Sequence, residues 1–233
     1  MGLLVLVRHG ESRWNLDNKF TGWVDVPLSQ RGINEAKRCA VHCREYEFDH
    51  AFTSRLERAH ETIQIILGDQ DRTGVVQHVG INPKYRSWIR RSNLVDGDIP
   101  VETSEDLNER YYGELQGMNK KQAERRYGRE RVRCWRRGYV ERPPKGESLK
   151  DAFGRIMPYV RTEIFTCVRS GEQVLLVAHG NTLRAIIKDI EGISDEDIAD
   201  VDLPDAVPLV YRHTVRKKWE HIGGAYQHGR PLR

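Results

Sequence analysis

Two short apolar runs, each ending in a histidine and a glycine, constrain this chain more than any other feature. Leu3-Leu4-Val5-Leu6-Val7 leads into Arg8-His9-Gly10-Glu11-Ser12, and Val174-Leu175-Leu176-Val177-Ala178 leads into His179-Gly180-Asn181. Such runs read as strands buried on both faces, as in parallel sheets. A glycine after the histidine permits a tight turn and a close backbone approach to a ligand. In open α/β sheets, ligands bind at the carboxyl ends of the strands. If the two strands are neighbours, His9 and His179 face one pocket, with Arg8 beside the first. Taken alone, His179 reads as readily as a core histidine satisfied by the backbone.

The chain between and beyond these runs alternates strands and helices. That pattern argues for an α/β fold: three layers, with a mostly parallel central sheet flanked by helices. Ser29 caps a helix whose apolar face is Ile33, Ala36, Ala40 and Cys43. A short strand around Ala51-Phe52 precedes a second helix, opened by Thr53-Ser54 and carrying Arg58 near its start. Ile99-Pro100-Val101-Glu102 reads as an edge-type strand. Ser148, with Asp151 at capping-box distance, starts a long helix that Pro158 should kink. Ser194 caps a short acidic helix, and Pro208–Tyr211 is the last strand. The stretch from about 69 to 98 lacks a clear period, as lids and mobile loops do. The tail from about 223 reads as mobile. At 233 residues the chain suits a single domain with these two appendages.

No apolar run approaches a membrane span, and Leu3–Val7 lacks the form of a signal peptide. Cys39, Cys43, Cys134 and Cys167 fit neither a disulfide framework nor a zinc spacing. The expectation is therefore a cytoplasmic protein with reduced thiols and no membrane partner. The net charge of +4 is modest, but Arg125, Arg126, Arg129, Arg131, Arg133, Arg136 and Arg137 crowd one segment. That cluster reads as a solvated helical face, a nucleic-acid patch, or part of a pocket for a multiply phosphorylated small molecule. No reader motif or stacking platform supports nucleic acid.

A neutral histidine can attack phosphorus, and nearby cations favour the neutral form. Arg8 and Arg58 could do this for His9 while binding a phosphate through charge-assisted hydrogen bonds. By spacing alone, Arg58 either points to solvent or reaches over the sheet edge. His179 could bind the equatorial oxygens in the transition state. Glu109 could serve as general acid and base at the ester oxygen, or could simply pair with Arg110. Thr21-Gly22 is either an ordinary turn or a hydroxyl and amide aimed at a carboxylate. No metal is expected, because no pair of histidines or carboxylates shows ligand spacing.

The segment Leu6-Val7-Arg8-His9-Gly10-Glu11-Ser12 resembles the signature of the histidine phosphatase superfamily. A wider set is similar to its cofactor-dependent phosphoglycerate mutase branch. It includes Trp14-Asn15, Phe20-Thr21-Gly22-Trp23, Arg58-Ala59, Leu107-Asn108-Glu109-Arg110, Tyr112-Gly113, Asn119-Lys120, Trp135-Arg136-Arg137 and Ala178-His179-Gly180-Asn181-Thr182-Leu183-Arg184. The resemblance implies a phosphohistidine at His9, with Arg8, Arg58 and His179 holding the phosphoryl group and Glu109 moving the proton. It implies substrate-binding roles for Ser12, Asn15, Thr21, Gly22, Arg110, Tyr112, Lys120, Arg136, Arg137, Gly180 and Asn181. The implied reaction interconverts 3-phosphoglycerate and 2-phosphoglycerate, primed by 2,3-bisphosphoglycerate, without a metal. Its partners would be small phosphorylated acids, and the protein could be a homo-oligomer. A phosphatase of the same superfamily, transferring the phosphoryl group to water, is the alternative. Three departures from the family stand out. The loop 143–149 is short, the 69–98 stretch looks inserted, and Pro204-Asp205-Ala206-Val207-Pro208 stands where the family has Pro-Thr-Gly-Val-Pro.

Overall fold

The computed structural model describes residues 1–78, 95–214 and 218–226. Its centre is a seven-stranded sheet in the order β3-β4-β2-β5-β1-β6-β7. The strands are β1 (Leu3–Arg8), β2 (His50–Thr53), β3 (Gly74–His78), β4 (Ile99–Thr103), β5 (Gln173–Ala178), β6 (Leu209–His213) and β7 (Trp219–Gly223). The first five run parallel, and β6 and β7 form an antiparallel edge beyond β1.

The strands that begin and end the histidine motifs are central, and their alternation builds two cores. Leu4, Leu6, Val174, Leu176 and Ala178 face one layer, packing with α6 (Leu149–Tyr159) and α8 (Gly180–Glu191). Val5, Val7, Leu175 and Val177 face the other, with residues of α2 (Gln30–Cys43) and α3 (Glu57–Leu67). Because consecutive strand residues point to opposite faces, a continuous apolar run is the pattern that a two-sided sheet requires. The three-layer expectation is met.

Several sequence readings change in detail. The stretch read as irregular contains β3, and β4 therefore lies inside the sheet rather than at its edge. β3 has five residues, two of them polar, too short a run to separate from loop by periodicity. Residues 79–94, the rest of the supposed lid, lie outside the described residues. The helix α3 starts at Glu57, not at Thr53-Ser54. Thr53 belongs to β2, and its hydroxyl donates to Val177 O. The long helix, expected to kink at Pro158, runs on past it. It passes through a π-helical turn, Val160–Ile164, into α7 (Phe165–Ser170). The acidic segment near Ser194 is a 3₁₀ turn at Asp197–Asp200, with the Ser194 hydroxyl accepting from Asp197 N. Finally, the tail is structured further than expected: Gly223 ends β7, and Tyr226 is buried with its hydroxyl donating to Glu191. Residues 227–233 lie outside the described residues.

One close approach ties the active edge to α2. A Cβ on Gly32 would stand 2.1 Å from Glu11 O, and one on Gly10 would stand 2.4 Å from Gly32 O. Helix and post-strand loop thus touch backbone to backbone. Gly32→Ala should lower stability by about 1–3 kcal/mol through this clash, although alanine is the better helix former. Urea denaturation measures it; an unshifted midpoint would show that helix and loop can separate without cost.

Candidate active site

β1 and β5 pair in parallel with Arg8 opposite Ala178, and His9 N donates to Ala178 O at 3.0 Å. The next residues are therefore delivered side by side. The rings of His9 and His179 are buried with centroids 5.0 Å apart.

Nδ1 of His9 lies 2.7 Å from Gly10 O. A carbonyl only accepts, so Nδ1 carries the ring proton and Nε2 keeps its lone pair. Arg58 Nε donates to that lone pair at 3.2 Å. Burial first, then the charges of Arg58 and Arg8, hold His9 well below its ordinary pKa. Nε2 of His179 lies 2.7 Å from Ser54 Oγ, which itself accepts from Leu56 N. Nδ1 of His179 is buried without a protein partner. Burial, then Arg58, His9 and Arg8, also hold this ring well below its ordinary value.

Arg58 does not point to solvent. It is 1% exposed, and it donates through Nη2 to Gly22 O at 2.8 Å and through Nη1 to Val24 O at 3.2 Å. Burial lowers its pKa to about 10, against the raising influence of Glu109 and Asp25. At this value it remains a cation at neutral pH.

Glu109 is not in an ion pair with Arg110. Its Oε1 accepts from Arg110 N at 2.7 Å and from Asn181 Nδ2 at 2.9 Å. The Arg110 side chain instead donates to the Tyr112 hydroxyl and to Arg136 O. Arg155 of α6 donates to the carbonyls of Glu105, Asp106, Asn108 and Glu109 and pairs with Glu147. Glu147 in turn accepts from Tyr111 N. The short 143–149 loop packs directly on this segment, since a Cβ on Gly113 would meet Pro144 O at 2.2 Å.

The pocket over these groups is lined by Arg8, His9, Asn15, Thr21, Gly22, Arg58, Glu109, Tyr112, Lys120, Arg136, Arg137, Gly180 and Asn181. Three sequence-named residues are not part of this lining: Ser12, Arg110 and His179, whose buried ring stands against that of His9. Ser12 is buried as the N-cap of α1 (Arg13–Leu16), its hydroxyl committed to Asn15. Arg110 is wholly buried, with Nε and Nη1 lacking protein partners. Lys19, Phe20, Arg184 and Asp202 complete the lining without having been singled out. Arg184 carried a signal, being one helical turn from Asn181. Asp202 carried none, because its place depends on a loop.

Lys120 begins α4 (Lys120–Tyr127) and Arg136 and Arg137 end α5 (Arg129–Arg137). Val132 and Trp135 bury the inner face of α5, while Arg125, Arg126, Arg129, Arg131 and Arg133 are exposed. The arginine cluster is thus divided between pocket and solvent. Burial, then Arg136, lowers the Lys120 pKa. Burial alone would raise the Tyr112 pKa, but Arg110 and the hydrogen bonds from Arg110 and Asn181 bring it down.

Among the described residues, one group of metal-ligand type assembles, His50, Cys167 and Glu172. It lies at the amino ends of β2 and β5, opposite the pocket, and Glu172 is already hydrogen-bonded to His50 and Ser170.

A central parallel sheet, two facing histidines and an arginine-lined edge define a phosphoryl-handling α/β protein. The model of the histidine phosphatase superfamily (branch 1) matches residues 4–82 and 90–220, and the chain belongs to that superfamily. Among relatives, it is 43% identical to the 2,3-bisphosphoglycerate-dependent phosphoglycerate mutase of Methanosarcina acetivorans, over 91% of each chain. It is 46% identical to the phosphoglycerate mutase of Schizosaccharomyces pombe, over 90% of this chain and 89% of the relative. In fold it is similar to a mycobacterial glucosyl-3-phosphoglycerate phosphatase, with TM-score 0.73, 21% identity, and coverage of 95% and 98%.

The two depressed rings set a pH dependence. Below the ordinary histidine pKa the unfolded chain binds protons that the native rings refuse, so stability falls on acidification. Each ring contributes up to about 1.4 kcal/mol per pH unit in that window. Urea midpoints measured from neutral to mildly acid pH should fall steeply for wild type and less so for a His9→Asn, His179→Asn double variant. Parallel profiles would mean that the rings titrate alike in both states.

Proposed function

We propose that the protein is an isomerase that interconverts 3-phosphoglycerate and 2-phosphoglycerate through a phosphohistidine at His9, a step of glycolysis and gluconeogenesis. The observation that carries this is the density of cations in one pocket. Arg8 and Arg58 stand with His9, and Lys120, Arg136, Arg137 and Arg184 share the same lining. A small acid with both a phosphate and a carboxylate offers anions for both sets. The relatives named as phosphoglycerate mutases, alike over nine-tenths of the chain, support the same reading.

The residues also fit 2,3-bisphosphoglycerate as primer. Arg184 and Thr21 of the lining, and His179 beside His9, have buried polar atoms without protein partners, and buried polar atoms of this kind call for a hydrogen-bond partner. When bound, that molecule would supply the phosphoryl group that first loads His9.

In the catalytic step, the His9 Nε2 lone pair attacks phosphorus while Nδ1–H stays on Gly10 O. One N–P bond forms and one P–O bond breaks. Arg8 and Arg58 neutralise the phosphoryl oxygens, as phosphoryl transfer chiefly requires. If Ser54 Oγ donates to His179 Nε2, the ring proton is on Nδ1 and faces those oxygens as a donor. The leaving oxygen takes a proton from Glu109, and the return step gives it back. Oε1 of Glu109 is held by two donors, which leaves Oε2 to carry that proton.

Mixing protein with 3-phosphoglycerate and 2,3-bisphosphoglycerate should yield 2-phosphoglycerate in excess of free phosphate. Free phosphate alone would favour a phosphatase. Activity should survive EDTA, since side-chain cations neutralise the phosphoryl group; inhibition reversed by added Mg²⁺ would refute that. Glu109→Gln should keep ligand affinity while slowing both labelling of His9 and onward transfer, by ~10²–10⁴-fold. Single-turnover labelling at the wild-type rate, with a lowered melting temperature, would make Glu109 a structural residue instead.

A further inference from the structure

The loop before β6 carries the carboxylate that departs from the family pattern. Because β6 runs antiparallel to β1, this loop lies beside the carboxyl end of β1. It grips Arg8 from three directions. Ala206 N donates to Arg8 O at 2.9 Å, Arg8 Nη1 donates to Leu203 O at 2.7 Å, and Asp205 Oδ1 stands 2.8 Å from Arg8 Nε. The Asp205 contact is an ion pair without good hydrogen-bond alignment, as both atoms are otherwise unpartnered and buried. Ala206 is held at φ +51°, a conformation that alanine adopts only under constraint. Arg8 Nε is also 3.6 Å from where a Gly180 Cβ would stand, so its guanidinium sits at the N-terminus of α8 and lines the pocket, with Asp205 against it.

We propose that Asp205 is a positioning residue that competes with the phosphoryl group for Arg8, so that its carboxylate pairs with the guanidinium in the empty enzyme and yields it when a tetrahedral dianion binds. The inference rests on the reading that Arg8 holds the phosphoryl group. It gives the pocket a device that weakens anion binding, which favours release of a phosphorylated product from a site this rich in arginine.

The charges facing Asp205 come from every neighbouring element. They are Arg8 from β1, Glu11 from the loop after it, Glu35 from α2, Asp202 from its own loop and Lys120 from α4. Arg31 partly neutralises Glu35 and Glu11. Burial of Asp205 outweighs the pull of Arg8 and raises its pKa. A bound dianion adds negative charge and takes Arg8 away, so it raises the proton affinity of Asp205 further. By reciprocity, a proton on Asp205 strengthens anion binding. Affinity should therefore rise as pH falls, and a neutral residue at 205 should lack that component.

Inorganic sulfate is the probe, because it stays a dianion over the working pH range and cannot be turned over. Calorimetric titration of the full chain compares wild type with Asp205→Asn and Asp205→Thr, each first checked by thermal melting. At about pH 8 the variants should bind sulfate roughly tenfold more tightly than wild type, from removal of one negative charge a few ångströms away at an intermediate effective dielectric. Their affinity should also depend less on pH, by up to one proton. Binding measurable only in the variants supports the proposal equally. Equal or weaker binding by a folded variant, or the wild-type pH slope in both, overturns it. If the Asn variant does not fold, the Thr variant carries the same comparison. Failure of the mutase reading would appear separately, as wild type that forms no 2-phosphoglycerate while the sulfate comparison stands.

Discussion

Arg58 is almost fully enclosed, yet no carboxylate lies within ion-pair distance of it among the described residues. Its guanidinium is held by two loop carbonyls and the lone pair of His9. Arg184 is managed in the same way, on Asn181, Arg137 O and Ile198 O, and burial brings its pKa down to about 9. Removing such ions from water costs several kcal/mol each even after relaxation. Carbonyl dipoles and the more distant carboxylates of Glu109 and Asp25 offset only part of that, so the fold carries buried positive charge that no carboxylate pairs with directly among the described residues. The two low histidine pKa values follow from this, since another proton would have to enter the same buried field. A dianionic ligand is the partner that would relieve it. The structure therefore depends on loops 20–25 and 105–112 being rigid, and rigid they are made. Gln116 takes Trp23 N, the Trp23 indole donates to Glu109 O, and Arg155 gathers four carbonyls.

That dependence also explains which features could be read in the sequence. Central strands announce themselves because both faces must be apolar, as in the Leu3–Val7 and Val174–Ala178 runs, and only the adjacency that brings His9 to His179 is left open by them. Caps were legible at Ser29 and Ser148 because one hydroxyl meets one amide three residues on. β3 and β7 were not, since an edge strand needs one neighbour and little apolar content. Ser54 shows the limit of local reading. It reads as opening α3, and it does accept from Leu56 N, but its hydroxyl also meets His179, 125 residues away. Arg58 could not be oriented from spacing at all, because its direction is set by the carbonyls of Gly22 and Val24. The loop residues Asp202, in the pocket lining, and Asp205, against Arg8, depend on β6 turning back against β1, which no short pattern in the chain encodes.

Mutase and phosphatase chemistry coincide up to the phosphohistidine and part only at what attacks it next. Water is always present, so a mutase must keep the dephosphorylated acid in place long enough for its hydroxyl to compete. On the proposed reading, retention falls to the lining cations other than Arg8 and Arg58: Lys120, Arg136, Arg137 and Arg184 come from α4, α5 and α8 rather than from the sheet. α5 is pinned there by Val132 and Trp135, and by Arg137 O accepting from Arg184. On that reading the catalytic edge is a property of the sheet, and selectivity is a property of the helices packed beside it. A change that loosens α5 without touching His9 would leave phosphoryl loading intact and shift the onward transfer toward water.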